Sequence, residues 1–400
     1  MKTIFICTER KFPYGDAGAV RVLNIAKILK KIEYNVQIYA MGQNREVDLD
    51  IASGIYKIED FQYYNLRKMQ RKIINLLINF FFSGFNTYRL LNEHITSGKY
   101  DVSNIMIYSS NIFYVLPIFL GIRIKHKIPV CFDVVEWYMP FQYKLGIFDL
   151  NFIDVAFCFN FIFPLSKNII AISKLIQNHF TAKKCNILYL PAITDIDEIT
   201  PLSINEKTDN KIRLIYPGNP GKKDALDIAL EAVSLLNDEE KNRIEFHITG
   251  MSSNELSEYM QDKKDVLSKL SDCLVIHGKL PYDELMKLYN IVDFLALFRY
   301  DNRVTRANFP NKIPELFALG VSVITNKVGD YGECLNDMAN SIIVDECSVE
   351  SAMLGIRKVL ALEQSELLII KNNAKTTAAE YFDYRNWLQS FKMFLENTKV

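Results

Sequence analysis

Residues 303–324 read Arg-Val-Thr-Arg-Ala-Asn-Phe-Pro-Asn-Lys-Ile-Pro-Glu-Leu-Phe-Ala-Leu-Gly-Val-Ser-Val-Ile. Arg303, Arg306 and Lys312 crowd a loop punctuated by Pro310 and Pro314. Glu315 then opens a short apolar helix that stops at Gly320, and a β-branched strand follows at once. A helix that ends on glycine and runs straight into a buried strand is the repeating unit of a parallel α/β sheet. Helix N-termini carry free N–H donors and a positive dipole end, so loop cations here suit a phosphate-bearing ligand. A carboxylate in the first turn suits the same dipole and can accept hydrogen bonds from sugar hydroxyls. A solvated basic loop with a helix-capping Glu accounts for the same residues.

Working outward, buried strands alternate with amphipathic helices along the whole chain. Thr3–Cys7, Asn35–Ala40, Asn104–Tyr108, Pro129–Phe132 and Asn168–Ile172 read as strands, with Ser173 placed to cap a helix over Leu175–Phe180. After a polar stretch, Thr200–Lys211, the pattern restarts with strands at Arg213–Tyr216, Glu245–Thr249, Leu274–His277, Phe294–Leu297 and Ser322–Thr325. The 400 residues therefore divide into two doubly wound domains, 1–199 and 200–376, followed by an aromatic segment, 377–400, that reads as a helix or helix pair docked on an apolar surface. In such sheets ligands sit at the carboxyl ends of strands, and the cleft between two such domains is the expected site.

Composition narrows the function classes. Hydrophobic residues make up 49% and charged residues 24%, the signature of a globular chain. The net charge of zero hides an asymmetry: residues 1–200 carry 23 Lys+Arg against 17 Asp+Glu, and the remainder 24 against 30. The basic first half suits anionic lipid or an anionic acceptor. Seven scattered cysteines without a C-x-x-C pair read as buried, reduced thiols of a cytoplasmic protein. Ile105–Ile124 contains Ser109, Ser110, Asn111, Pro117 and Gly121, so it reads as strand, loop and helix rather than a membrane span. Phe148–Leu165 has Asp149, Asn151, Asp154 and Asn160 among its aromatics and is likewise not a span. Arg67–Lys72 followed by an apolar run reads either as a core helix with a basic end or as a segment lying on an anionic membrane.

Several segments carry chemistry. Pro13–Arg21 is a small-residue strand-to-helix turn containing Gly15 and Gly18. Tyr216-Pro217-Gly218-Asn219-Pro220-Gly221-Lys222-Lys223-Asp224 occupies the same position in the second half and has the composition of a phosphate cradle, without Walker spacing. Asp133 and Glu136 lie at or just after a strand end, where they can act as acid/base groups or orient a hydroxyl, and Trp137 and Tyr138 can stack on a sugar ring. A structural polar network explains the two carboxylates equally. Asp195-Ile196-Asp197 reads as a solvated charge run, His247 as a satisfied core residue, and His277 as the histidine nearest a ligand. No cluster has metal-ligand spacing.

In order and spacing these segments resemble the family 4 (group 1) glycosyltransferases of the GT-B fold, over most of the chain. The resemblance rests on Pro13–Arg21, Ala171-Ile172-Ser173, Gly218 with Lys222 to Asp224, His277-Gly278 and Pro281–Leu288. It continues through Ile291-Val292-Asp293, Phe309–Glu315, Ala318, Gly320, Val323-Ile324 and Asp330. It implies two Rossmann-like domains and a metal-independent, retaining transfer of a sugar from a nucleotide diphosphate donor to a glycan or lipid-linked acceptor. Cell-surface polysaccharide synthesis, cytoplasmic or at the inner face of the membrane, fits that reading. The nucleotide-sugar is then a co-substrate, and no cofactor, metal or nucleic acid is expected. Glu315 matches the second Glu of the family's E-x7-E motif, Lys222 or Lys223 its diphosphate-binding lysine, and Gly15 and Gly18 its loop near the donor phosphate. The first Glu falls at Ala307 and the usual arginine of the phosphate loop at Asn219, leaving Arg299, Arg303, Asn308 or Lys312 to compensate. Glu136, Asp133, Lys223 and Arg303 are the candidate catalytic groups. A catalytically silent partner subunit and a nucleotide-sugar epimerase of the same fold are the alternative readings.

Overall fold

A computed structural model describes residues 1–13, 17–43, 55–58, 61–65, 73–199 and 209–400. Gly15, the basic run Arg67–Lys72 and most of the polar stretch after Ile199 lie outside the described residues. The chain divides into two compact units, Met1–Thr194 with Tyr384–Val400, and Asp195–Asp383.

The first unit is built on β1 (Thr3–Phe12), β2 (Asn35–Gln43), β3 (Ile55–Ile58), β4 (Phe61–Asn65), β5 (Val102–Tyr108), β6 (Val130–Val134), β7 (Asn168–Ala171) and β8 (Asn186–Tyr189). Their order is β3-β4-β2-β1-β5-β6-β7-β8, parallel throughout except for the β3–β4 pair at one edge. The antiparallel hairpin and β8 have no counterpart in the expected strand list; the hairpin's residues mix polar and aromatic side chains with few branched apolar ones. Ile105–Ile124 is strand, loop and helix as expected, the helix running Ile112–His126 behind an Asn111 cap. Ser173 caps the helix Lys174–Thr181 by accepting from the Ile176 N–H.

One core cluster of this unit lies between the sheet and the helix Ala17–Lys31, whose Val22, Ile25, Ile28 and Leu29 are buried. The C-terminal helix Leu388–Glu396 adds Phe391, Phe394 and Leu395 to the same cluster. All seven cysteines are free, and burial raises the thiols of Cys7, Cys131, Cys158 and Cys334 well above their ordinary pKa.

The second unit carries β9 (Ile212–Pro217), β10 (Ile244–Thr249), β11 (Leu274–Gly278), β12 (Phe294–Leu297), β13 (Ser322–Asn326) and β14 (Ile342–Val344), all parallel, in the order β11-β10-β9-β12-β13-β14. Strands such as β12 are buried along their whole length, which is why they read as unbroken apolar runs. In both sheets the winding direction reverses once, between β1 and β5 and between β9 and β12. These switch points open crevices at the strands' carboxyl ends, the places such sheets offer to ligands.

Candidate active site

At the β9/β12 switch point a short, densely bonded network forms around Asp224. The Arg299 Nε donates to Asp224 Oδ1 at 2.7 Å, and Lys312 Nζ donates to Asp224 Oδ2 at 2.8 Å and to the Tyr216 hydroxyl at 2.7 Å. That hydroxyl in turn donates to Asp224 Oδ2 at 2.6 Å. Arg299 also donates to Asn308 Oδ1, and Asn326 holds its backbone on both sides by accepting from the Arg299 N–H and donating to its carbonyl. Burial alone would raise the Asp224 carboxyl, but Arg299 and Lys312 overcome it and hold the group far below the usual carboxylate range. Two cations against one carboxylate leave this buried centre with a surplus positive charge. Lys223 stands near enough to add to it: burial lowers the Lys312 pKa, Asp224 opposes that, and the charges of Arg299 and Lys223 push it down further.

The backbone around the network is shaped by two glycines. Gly218 adopts φ +88° just past β9, a conformation that L side chains rarely take. Gly250, at φ +80°, lies against it so closely that a Cβ there would stand 2.7 Å from the Gly218 Cα. Sequence reading picked out Gly218 and missed Gly250, whose only signal is a glycine directly after a strand.

Glu315 lies in the first turn of the helix Lys312–Leu319, one turn on from Lys312, on the same side of the helix. It is only partly exposed, and burial alone pushes its carboxyl up to about 7. Among the described residues no cation or hydrogen-bond donor is paired with it. A carboxylate held in this way is ready to accept hydroxyl groups from a ligand.

The remaining candidates are distributed differently. Lys222 is exposed and Lys223 partly buried, both beside a cavity of about 280 Å³ lined also by Asp224, Tyr259 and Tyr300. Arg303 and Arg306 are exposed on a single helical turn, and Arg306 pairs with Asp301. Ala307, at the position of the motif's first Glu, is fully buried and presents nothing to solvent. His277 is turned towards His247, with Nε2 2.9 Å from His247 Nδ1 and the rings stacked. Burial lowers the His247 pKa to about 4, and its Nε2 makes no hydrogen bond, so the expectation of a fully satisfied core histidine is corrected. Glu245 lies 3.4 Å from that nitrogen, outside hydrogen-bonding geometry.

In the first unit, Arg21 reaches from the helix Ala17–Lys31 to Asp133, donating to both carboxylate oxygens at 2.8 and 2.9 Å. Its other donors go to the Leu190 and Pro191 carbonyls. Of the two readings of Asp133, the structure therefore favours the structural network over a free acid or base. Gly18 is buried in the first turn of the same helix. Glu136 lines a pocket at the β1/β5 switch point together with Arg10, Tyr108, Ser109, Asp133 and Tyr138, and its carboxylate engages the Tyr138 hydroxyl. Val155, Phe159 and Phe163 close the apolar side. Trp137 packs on Phe159 and His179 instead of presenting a free stacking face. Beside the pocket lies Glu9, bonded to Ser109 and Asn111, and burial raises its carboxyl pKa despite those bonds. Sequence reading missed it, because a lone Glu within a strand has no local signature.

Among the described residues no group of three or more His, Cys, Asp or Glu is placed to hold a metal ion. No helix among them is long and apolar enough to cross a membrane.

No curated protein matches the sequence. Solved structures match it over nearly its full length. Sucrose-phosphate synthase from Thermosynechococcus elongatus superposes with a TM-score of 0.73 at 12% identity, covering 99% of this chain and 98% of that one. A glycosyltransferase from Rickettsia africae gives 0.69 at 17%, covering 99% and 100%. Anabaena HepE in complex with UDP and glucose gives 0.66 at 14%, covering 99% and 100%. The fold is thus that of the GT-B glycosyltransferases. Within it, residues 200–376, which contain Asp224, Arg299, Lys312 and Glu315, match the family model described as "Glycosyl transferases group 1".

Proposed function

We propose that this protein is a retaining glycosyltransferase that moves a sugar from a nucleoside diphosphate donor to a glycan or lipid-linked acceptor in cell-surface polysaccharide assembly, at the inner face of a membrane. The observation that carries the reading is the unpartnered Glu315 one helical turn from the positively charged Asp224 network, within the segment matching the group 1 family. Departure of a nucleoside diphosphate builds negative charge on the leaving oxygen, and fixed cations in a partly desolvated site stabilise it. Lys312, Arg299 and Lys223 supply that charge in this reading, which assigns it to side chains and calls on no metal or cofactor. Glu315 accepts the ribose hydroxyls. The solved complexes of HepE with UDP and glucose make a uridine donor the first to try.

Thermal unfolding in the presence of a panel of nucleoside diphosphates and their sugars tests this. A ligand at about a hundred times its Kd stabilises the protein by about 2.7 kcal/mol, a readily measured upward shift. If no nucleotide or nucleotide-sugar moves the transition, the donor site is wrongly assigned. Binding without transfer to any acceptor would favour the silent-partner reading, to which the buried Ala307 lends support. Turnover of the donor with no acceptor present would favour the epimerase.

A further inference from the structure

The first unit exposes an apolar surface that its own core does not explain. Between Phe141 and Leu165 nine large apolar side chains are exposed, with Phe148 and Leu150 at 75% and 80%. The neighbouring helix Ile112–His126 adds Ile124, at 74%. The two segments are tied together: Asp154 caps the Ile112 N–H at 2.7 Å, and Arg123 donates to the Leu165 carbonyl. Scattered exposed apolar residues need no explanation, but nine of them between Phe141 and Leu165, on a segment bonded to the helix that carries Ile124, mark an interaction surface.

Charge decides what the surface meets. The strongly exposed ionic groups on these segments are Lys125, Lys127 and Lys144, none of which has an acidic partner among the described residues. The two acids of residues 139–167, Asp149 and Asp154, are both spent on backbone N–H groups. A second copy docked through the same patch would set these lysines against one another, whereas anionic headgroups complement them.

We propose that this surface docks the protein on an anionic bilayer, the apolar side chains entering the headgroup boundary and the lysines engaging lipid phosphates. The short helices here lie in the membrane plane and do not cross it. The same segment turns Val155, Phe159 and Phe163 inward to line the Glu136 pocket, so an acceptor drawn from the bilayer reaches that pocket along an apolar wall. This assigns a lipid-anchored acceptor, a consequence that rests on the transferase reading; the docking itself does not.

Flotation of the full chain with phosphatidylcholine vesicles, with and without phosphatidylglycerol, tests the proposal. The protein should float with the anionic vesicles, and the double variant Phe148→Ser/Leu150→Ser should partition about tenfold less or weaker still. Its melting temperature and nucleotide-sugar binding should be unchanged. Lys125→Glu/Lys127→Glu should lose the preference for phosphatidylglycerol. Failure of the wild type to float, or flotation undiminished in the serine variant, overturns the docking surface. So does a wild-type dimer that the serine variant converts to monomer, which would make the patch a protein interface. Docking with no response to any nucleotide would leave the surface standing and remove the transferase reading and the acceptor assignment.

Discussion

Each unit buries an arginine against an aspartate near a switch point, and the two pairs have opposite characters. Arg21 and Asp133 match one cation to one carboxylate, and the spare guanidinium donors are absorbed by two carbonyls. The result is neutral and closed. Asp224 instead bridges Arg299 and Lys312, and the second cation keeps 22% of its side-chain surface exposed. Charge count separates them: a balanced pair cross-links a fold, whereas a carboxylate that orients two cations leaves a field for an anion to fill.

The largest effect should come from breaking the closed pair. Asp133→Ala leaves the Arg21 guanidinium buried without its counter-charge, which typically costs about 3–5 kcal/mol. Chemical denaturation should show that loss while the folded fraction still binds donor normally. A loss of donor binding without destabilisation would reverse the roles assigned to the two pairs.

Next comes the carboxylate with no partner. Glu315 has a folded pKa raised to about 7 by burial, so the fold carries no penalty below its ordinary value of 4.5. The penalty grows as pH rises from there to about 7 and is constant above. Glu315→Gln should therefore raise stability at pH 8, by up to about 3 kcal/mol at 1.4 kcal/mol per pKa unit, and change little at pH 4. Donor affinity should move the other way, falling by about 1–3 kcal/mol, because the amide accepts ribose hydroxyls less well than a carboxylate. Melting curves and donor titrations across this pH range would separate the two. A variant that is neutral in both would show that Glu315 is merely a capping residue.

Lys312→Met sharpens the contrast. Asp224 retains Arg299 and the Tyr216 hydroxyl, so stability should change by only about 1 kcal/mol. Donor affinity should fall about 10- to 100-fold, as expected for a lost charge-assisted bond to phosphate. If this variant unfolds as readily as Asp133→Ala, the open network is structural too.

Local pattern made much of this legible. Strand and helix positions followed from periodicity, the Ser173 cap from residue type, and Gly218 with its lysines from their place after a strand. What stayed hidden depends on distance along the chain. Arg21 meets Asp133 across 112 positions and Arg299 meets Asp224 across 75, and no local rule links them. Asp224 reads in the sequence as the last residue of a phosphate-cradle segment, and in the fold it is the carboxylate that organises Arg299 and Lys312. The apolar run around Phe148 was equally ambiguous, since side chains of the same type line a core or a surface according to what packs on them.

The smallest effect belongs to Arg306, a cation of the same loop as Lys312. Arg303, Arg306 and Lys312 arrive together in one loop, and composition treats them alike. Arg306 donates to Asp301 at 2.6 Å on the surface, where water and salt screen the pair. Lys312 is drawn inward by Asp224. Arg306→Ala should therefore leave the melting temperature and donor affinity within about twofold of the parent in Kd, while Lys312→Met does not. Isothermal titration of both variants with the same nucleotide-sugar makes the comparison direct. Equal losses would mean that the whole cationic loop acts as a diffuse field, with Asp224 selecting none of its members.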